Sequence, residues 1–229
     1  MRENGMKQGS PEPFSAYLAR PLDPLRLSLG DWWKEEDLPV DWDGLLPGGP
    51  LVVEVGFGGG EFLLSLAAQF PERRFVGIER FGEGHRRLQQ ALAASGLRNV
   101  LAMVGDAFVI LGVAFENESL EAVHINYSDP WPKARHANRR LLSREFLTIA
   151  ARKLKPGGRL YAATDDVSYA REAAEAFSSL PLLTSLHPGR DWMETSSHGV
   201  TTRYERKWRA EGRPLHYFAF ERRSPQCPT

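Results

Sequence analysis

The feature that most restricts the fold is an alternation of short apolar runs and longer amphipathic segments from residue 51 onward. Five apolar runs have the composition of buried strands, and they cover residues 51–55, 75–78, 100–104, 120–125 and 159–163. Helical periodicity separates them, at residues 60–70, 83–95, 143–154 and 167–179, with a further helix after Asp106. This spacing predicts an α/β fold with a doubly wound, mostly parallel sheet. A sixth run, residues 215–221, alternates in polarity and predicts an antiparallel strand near the C-terminus.

The chain length and the distribution of Gly and Pro predict one domain preceded by an arm. A chain of 229 residues is long enough for one large α/β domain with a full core. Residues 1–30 carry Gly, Pro and charges with little periodicity, so we expect a flexible N-terminal arm. Residues 31–223 form the predicted domain. Its first part contains Trp32, Trp33 and Trp42, which we expect to pack as an irregular lead-in to the core.

Composition excludes several classes of protein. Lys and Arg together number 29, as do Asp and Glu, so a nucleic-acid partner would have to be attracted by a local basic patch. The single cysteine, Cys227, lies in a C-terminal tail, residues 224–229, and cannot form an internal disulfide or a thiolate zinc site. We therefore expect no metal. The sequence contains neither an apolar stretch of about 18 residues nor an apolar secretion signal, which predicts a cytoplasmic protein without a membrane span.

A glycine-rich loop follows the first strand, with the sequence Gly56-Phe57-Gly58-Gly59-Gly60-Glu61. Glycines here permit positive φ angles and let a ligand approach the backbone closely. Gly56 and Gly58 fit a dinucleotide fingerprint, but Glu61 stands at its last position, and an acid at a helix N-terminus repels a pyrophosphate. Glu54 adds a negative charge inside the strand. The loop therefore disfavours NAD and favours a cationic or zwitterionic ligand, such as S-adenosylmethionine with its sulfonium and ammonium groups.

Further acids lie at the ends of the predicted strands. Glu79 closes the second strand about 20 residues beyond the glycine loop, where a doubly wound fold places the acid that binds ribose hydroxyls. Asp106 closes the third strand and can accept from an adenine amino group while it caps the next helix. Glu54, Glu79, Asp106 and Asp129 all belong to the edge where such folds bind ligands. The alternative for Glu61 and Asp106 is a plain role as acids at helix N-termini.

The fourth strand runs into a stiff loop, Asp129-Pro130-Trp131-Pro132, because prolines fix φ and cannot donate ladder hydrogen bonds. The loop can present a carboxylate and an indole ring to one ligand. A basic run follows, which we interpret as contacts to nucleic-acid phosphates, and its members are Lys133, Arg135, His136, Arg139 and Arg140. A solvated charged face is the alternative for this run, and a core position is the alternative for Trp131.

Two later clusters belong to the same predicted edge. Asp165 ends the fifth strand and could orient a base or a nearby basic residue. The segment Thr202-Arg203-Tyr204-Glu205-Arg206-Lys207 follows a long loop, and a carboxylate such as that of Glu205 can accept from the N1 and N2 donors of guanine. Equally open is the alternative that Asp165 caps a helix and that residues 203–207 are an exposed helical turn.

Together these motifs resemble a known family. The most specific similarity is to the bacterial tRNA (guanine-N7)-methyltransferases of the TrmB type, through Asp129-Pro130-Trp131-Pro132-Lys133-Ala134-Arg135-His136 and the following Arg139-Arg140-Leu141. The other motifs occur in the family's order, and they are Glu54-Val55-Gly56-Phe57-Gly58, Gly77-Ile78-Glu79, Gly105-Asp106-Ala107, Thr164-Asp165 and Thr202–Lys207. The resemblance spans about residues 50–222. Asn138 stands where the family often has a basic residue, which weakens the expected phosphate patch.

The resemblance implies a Rossmann-like class I methyltransferase that transfers a methyl group from S-adenosylmethionine to N7 of guanine 46 in the variable loop of tRNA. It implies that Asp129 is the catalytic acid and that Lys133, Asp165 and Thr202–Glu205 handle the RNA. The expected methyl-donor site comprises Glu54, Gly56, Gly58, Glu79, Asp106, Ala107 and Asp129. Two alternatives remain, a methyltransferase for another substrate and a non-catalytic RNA-binding module. The sequence leaves open whether the chain is a monomer or a homodimer.

Overall fold

The protein is described by a computed structural model that covers residues 38–46, 48–131, 133–196 and 199–224. These residues form a seven-stranded sheet with helices on both faces. The predicted N-terminal arm, Trp32, Trp33 and most of the predicted tail with Cys227 lie outside the described residues. No helix in the described part of the chain is long and apolar enough to cross a membrane.

The elements follow one another in the alternating order that the sequence predicts. The strands are β1 (Leu51–Val55), β2 (Arg74–Glu79), β3 (Val100–Val104), β4 (Leu120–Asn126), β5 (Leu154–Thr164), β6 (Leu183–Ser185) and β7 (His216–Arg222). The α-helices are α1 (Trp42–Leu45), α2 (Glu61–Gln69), α3 (Gly82–Ser95), α4 (Ala107–Val113), α5 (Arg144–Lys153), α6 (Val167–Ser178) and α7 (Arg203–Ala210). A 3-10 helix, Ala134–Arg139, follows the Asp129 loop.

The strand order in the sheet is β3-β2-β1-β4-β5-β7-β6. Strands β1 to β5 are parallel, and β7 is antiparallel to both neighbours, as its alternating sequence predicted. Successive side chains of a strand point to opposite faces, so Val53 packs in the core cluster that includes residues of α4, α5 and α6, while Val52 packs with α2 and α3. The chain turns from β1 toward β2 and later returns to β4 on the other side. The carboxyl ends of β1 and β4 therefore flank a topological switch point, where such sheets bind ligands.

Capping residues define two of the helix boundaries, and the sequence predicts the first of them. Asp106 is the N-cap of α4, and its side chain accepts from the backbone N–H groups of Phe108 and Val109 at 2.9 and 3.4 Å. Gly96 follows α3 with a left-handed φ of 71°. Both residues satisfy backbone groups that a helix end would otherwise leave unpaired. Trp42 of the predicted lead-in is buried, and its ring stacks on Phe115 at 4.8 Å.

The start of β5 differs from the sequence prediction. The helix ends before Pro156-Gly157-Gly158, as expected, but the strand begins at Leu154 rather than at Arg159. Leu154 pairs with Leu120, and the register then shifts so that Arg159 pairs with Ala122. The intervening residues leave the ladder, which a proline without an N–H and a glycine with φ of 78° allow.

Candidate active site

A cavity of about 780 Å³ opens at the carboxyl ends of the central strands. Its size is that of a typical small-molecule site. All residues of the expected methyl-donor site line it, namely Glu54, Gly56, Gly58, Glu79, Asp106, Ala107 and Asp129. Five residues of the expected RNA set also line it, namely Arg139, Asp165, Thr202, Arg203 and Tyr204. The two predicted halves of the site therefore share one cavity.

The glycine loop forms the floor of the cavity beside β1. Gly56 and Gly58 have φ angles of 76° and 54°, a region that strains any other residue. A Cβ atom at either position would meet nothing within 4 Å, so the missing side chains leave open space next to the backbone. The loop thus provides a cradle in which a ligand can lie directly against the main chain.

Glu79 ties this loop to the end of β2. Its Oε2 accepts from the backbone N–H of Gly58 at 2.8 Å, and its Oε1 accepts from those of Arg80 and Phe81 at 2.7 and 3.1 Å. A carboxylate oxygen has two lone pairs, so Oε2 keeps the capacity to accept from a hydroxyl group of a ligand. Glu79 is therefore both a brace of the site and a suitable ribose acceptor.

Glu54 is a buried acid at the bottom of the cavity. Only 2% of the residue is exposed. Its Oε1 accepts from Asn126 Nδ2 at 3.5 Å, and its Oε2 has no hydrogen-bond partner among the described residues. Burial and, to a smaller extent, the charge of Glu79 raise the pKa of Glu54 from 4.5 to about 8, against the lowering effects of Asn126 and of the backbone of Leu63. A cationic ligand at this position would favour the charged carboxylate and supply the missing partner.

The Asp129 loop adopts an unusual backbone conformation. Tyr127 and Trp131, one on each side of the exposed Asp129, have φ angles of 52° and 43°. Side chains with a Cβ avoid this region, at a cost of about 1–3 kcal/mol each. Such strain persists only where the surroundings impose it, and it is concentrated at functional sites. The loop therefore holds Asp129 at the cavity in a conformation that the chain would not adopt by itself.

Arg140 is the main brace of this loop. Its Nε donates to the carbonyl oxygen of Pro130 at 2.9 Å, and its Nη2 donates to that of Trp131 at 2.9 Å. Its Nη1 pairs with Glu172 of α6. Arg140 does not line the cavity, although the sequence analysis expected it to contact phosphate. In this conformation three of its donors are used within the protein, two of them on carbonyl groups of the Asp129 loop.

The remaining basic residues lie in or next to the 3-10 helix. Lys133 and Arg135 are exposed, and the Nε of Arg135 donates to Nε2 of His136 at 3.3 Å. The guanidinium of Arg139 lies 4.9 Å from the centre of the Trp131 ring, and Arg139 lines the cavity. Lys133, Arg135 and His136 do not line the cavity. Their position outside it suits contacts to the backbone of a polynucleotide.

The segment after the long loop forms a full helix, α7, rather than a single turn. Thr202 is its N-cap and accepts from the backbone N–H of Glu205 at 3.0 Å. Glu205 is 2% exposed and does not line the cavity; its Oε1 accepts from Arg209 at 3.1 Å. Its Oε2 lacks a hydrogen-bond partner within the described part of the chain. Arg203 and Tyr204, on the same helix, form one wall of the cavity.

Asp165 lines the cavity and does not cap the following helix, so that alternative is wrong. The cap of α6 is Asp166, whose side chain accepts from the backbone N–H of Tyr169 at 2.8 Å. Asp165 instead pairs with Arg213 at 3.6 Å, and the Arg213 guanidinium lies 3.9 Å from the centre of the Trp208 ring. Asp165 thus has a basic neighbour in Arg213, and its expected role toward a base or a basic residue stays a prediction.

Two tyrosines connect the Asp129 loop to α7. The hydroxyl of Tyr127 donates to that of Tyr217 at 3.0 Å, and Arg209, which also binds Glu205, donates to the Tyr217 hydroxyl at 3.3 Å. Burial raises the pKa of both tyrosines, so they remain neutral and serve as hydrogen-bonding links. The Asp129 loop and the helix that carries Glu205 are therefore linked by these hydrogen bonds.

Sequence reasoning missed several residues of the cavity wall. Asn126 binds Glu54 but is an ordinary polar residue at a strand end, without a motif of its own. Trp208 lines the cavity from α7, next to Lys207 of the predicted segment, whose ammonium lies 4.3 Å from the centre of the Trp208 ring. Phe81 lines it from the turn after β2. The signal that could have found Phe81 is its position two residues after Glu79.

The fold is that of class I methyltransferases. An rRNA methylase from Streptococcus thermophilus shares the fold, with a TM-score of 0.53 and 16% identity over 79% of this chain and 91% of that one. So does a geranyl diphosphate C-methyltransferase from Streptomyces coelicolor, which was solved with S-adenosyl-L-homocysteine. Its TM-score is 0.52, with 16% identity over 77% of this chain and 76% of that one.

Sequence comparisons identify the family. Residues 48–218 match a family described as "Putative methyltransferase". A tRNA (guanine-N(7)-)-methyltransferase of Roseobacter denitrificans is 35% identical over 90% of this chain and 88% of its own length. One of Paracoccus denitrificans is 39% identical over 76% of this chain and 73% of its own length. The chain belongs to the tRNA (guanine-N(7)-)-methyltransferase family.

Proposed function

We propose that the protein transfers a methyl group from S-adenosylmethionine to N7 of guanine 46 in the variable loop of tRNA. The observation that carries the proposal is the shared cavity, in which a cation-favouring carboxylate, Glu54, and the exposed carboxylate of Asp129 line the same space. The family membership supports the reaction. A tRNA substrate implies that the enzyme works in the cytoplasm.

The residues of the cavity fit the methyl donor. The cradle at Gly56 and Gly58 gives room against the backbone, and the buried Oε2 of Glu54 lacks the partner that an ammonium or sulfonium group would provide. Glu79 would accept from the ribose hydroxyls, while Asp106 and Ala107 would bound the adenine. When bound, the donor supplies an electrophilic methyl group on a positively charged sulfur.

The chemistry requires positioning and charge stabilisation rather than a strong base. Guanine N7 has an in-plane lone pair and carries no proton, so its methylation releases none from the reacting atom. The protein must hold N7 in line with the methyl carbon, about 3–3.5 Å away. Positive charge leaves the sulfur and appears on the guanine, and a fixed carboxylate near the base stabilises it. We assign this role to Asp129, which the strained loop holds at the cavity.

The guanine would be held by the part of the cavity wall that comes from the end of β5 and the start of α7. Thr202, Arg203 and Tyr204 line the cavity there, together with Asp165. Glu205 stays a proposed contact of the base although it is buried outside the cavity lining, because a carboxylate can accept from guanine N1 and N2 and its Oε2 makes no hydrogen bond within the described residues.

Lys133 and Arg139 are proposed to bind tRNA phosphates. We expect Lys133→Ala and Arg139→Ala each to raise the KM for tRNA and to reduce the slope of log KM against log salt by about 1, because each lost phosphate contact releases fewer counterions. The measurement is steady-state methylation over a range of salt concentrations. Arg73→Ala is the matched control, since Arg73 lies at the amino end of β2, away from the cavity. Unchanged slopes in both site variants would contradict the phosphate patch.

The target nucleotide is tested with two tRNA transcripts that differ only at position 46. The transcript with guanine there is expected to accept one methyl group per molecule, and the transcript with adenine is expected to accept none. Equal methyl acceptance by the two transcripts would contradict the assignment to guanine 46. Methylation of free nucleosides without tRNA would favour the small-molecule alternative.

A further inference from the structure

An exposed aromatic side chain lies at the mouth of the cavity with no role in the proposed chemistry. Phe81 is 61% exposed, although a phenylalanine normally gains from burial. It lines the cavity from the turn between β2 and α3. Arg80 and Arg87 line the cavity beside it, and Arg86 is exposed on the first turns of α3. We call these four residues the β2–α3 rim.

The turn that carries Phe81 is fixed in place. Oε1 of Glu79 accepts from the backbone N–H groups of Arg80 and Phe81, so the backbone of the rim is held by an acid of the site itself. The turn also packs on the glycine loop, because a Cβ atom on Gly84 would lie 2.4 Å from the carbonyl oxygen of Gly58. A ring presented on a rigid turn loses little conformational entropy when it binds a partner.

The charge of the rim suits a polyanion. Three arginines flank Phe81, and the acid among them is Glu83, which pairs with Arg87 across one turn of α3. The formal charge of residues 80–87 is therefore positive in a chain whose net charge is zero. Aromatic rings interleaved with arginines are typical of surfaces that stack bases and bind phosphates.

The rim and the Asp129 loop lie on different sides of the cavity. The rim follows β2 and the loop follows β4, and β1 lies between these two strands in the sheet. A polynucleotide that places one base in the cavity must continue past its mouth on both sides of that base. The basic run after Asp129 serves one side, and the rim is the positively charged surface on the other.

We propose that the β2–α3 rim is a second tRNA contact, in which Phe81 stacks on a base or ribose next to the target nucleotide and its arginines bind the adjoining phosphates. This inference rests on the proposed function. It extends the RNA interface beyond the motifs that carry the family resemblance, to residues on the side of the methyl-donor loop. The alternative is that Phe81 contacts the adenine of the methyl donor, and the test below therefore measures the affinity for the donor as well.

The test measures two affinities separately in Phe81→Ala and Phe81→Trp. Binding of unmodified tRNA and binding of S-adenosylmethionine are each titrated by fluorescence or calorimetry, with the melting temperature as a check on folding. We expect Phe81→Ala to weaken tRNA binding roughly tenfold, which corresponds to one lost stacking contact. Phe81→Trp should restore it, and the affinity for the methyl donor should change less than twofold. Arg87→Ala should lower the salt slope for tRNA, whereas Arg73→Ala should not.

Two outcomes would overturn the inference. The first is tRNA binding by Phe81→Ala that equals wild type. The second is a loss confined to methyl-donor affinity, which would make Phe81 an adenine contact. Measuring binding directly separates failure of this inference from failure of the proposed function. If the wild-type enzyme makes no N7-methylguanine, the proposed function is refuted. A tRNA affinity that depends on Phe81 would still support the rim in that case.

Discussion

Replacing Asp129 with asparagine is expected to lower kcat for tRNA methylation about 10²–10³-fold, the range found when one preorganised electrostatic group is removed from an active site. The affinity for S-adenosylmethionine should change only a fewfold. The reason is that asparagine keeps the size of the side chain and its place in the strained loop, but it lacks the negative charge that opposes the positive charge developing on guanine.

The measurement combines single-turnover methylation with a separate titration of the methyl donor. Asp43→Asn is the matched control, because it neutralises an exposed carboxylate on α1. Asp43 pairs with Arg74 at the amino end of β2, whereas the cavity lies at the carboxyl ends of the strands. A turnover near that of wild type would contradict the assigned role of Asp129. A collapse of donor affinity with unchanged chemistry would make Asp129 a binding residue instead.

The second large effect concerns Glu54 and pH. The pKa of Glu54 is raised from 4.5 to about 8 by burial, so the folded protein keeps a proton that the unfolded chain has lost between these values. The contribution of this proton to the free energy of unfolding is fully present below about pH 4.5 and is lost as the pH rises through 8. In Glu54→Gln this component is absent. We expect the difference in free energy of unfolding between the two proteins to change by about 2–4 kcal/mol from pH 5 to pH 8.5, in favour of the variant at the higher pH.

The same substitution should weaken binding of the methyl donor roughly 10–100-fold, which corresponds to about 1.4–2.7 kcal/mol, the range for a hydrogen bond to a charged group. Chemical denaturation without ligand at several pH values gives the first quantity, and calorimetric titration gives the second. Parallel pH profiles of stability for wild type and variant would contradict the buried, proton-holding state of Glu54. Unchanged donor affinity would remove Glu54 from the donor site.

The sheet was accessible to sequence reasoning because its central strands are nearly continuous apolar runs. Strand β6, only Leu183–Ser185, is too short to show periodicity, and its place at the sheet edge depends on pairing with β7. Helix α7 was equally hard to predict, because Glu205 is its buried residue and a charged residue marks no apolar face. The Glu205 carboxylate is paired with Arg209 of the same helix, and Arg209 also donates to the hydroxyl of Tyr217 on β7.

The candidate site also has features that the sequence predicts and features that it does not predict. Strand-end acids could be predicted because parallel strands bring their carboxyl ends to one edge, which places Glu54, Glu79 and Asp106 around one cavity. The separate functions of neighbouring arginines could not be predicted from a run of like charges. The structure distinguishes Arg140, which braces the loop, from Arg139, which reaches the cavity.

The central claim is methyl transfer to N7 of guanine in tRNA, and one measurement tests it most directly. The protein is incubated with methyl-labelled S-adenosylmethionine and unmodified tRNA, the tRNA is digested, and the labelled nucleoside is identified. We predict that the label is found in N7-methylguanosine. Label in another nucleoside, or no label in the RNA at all, would contradict the account.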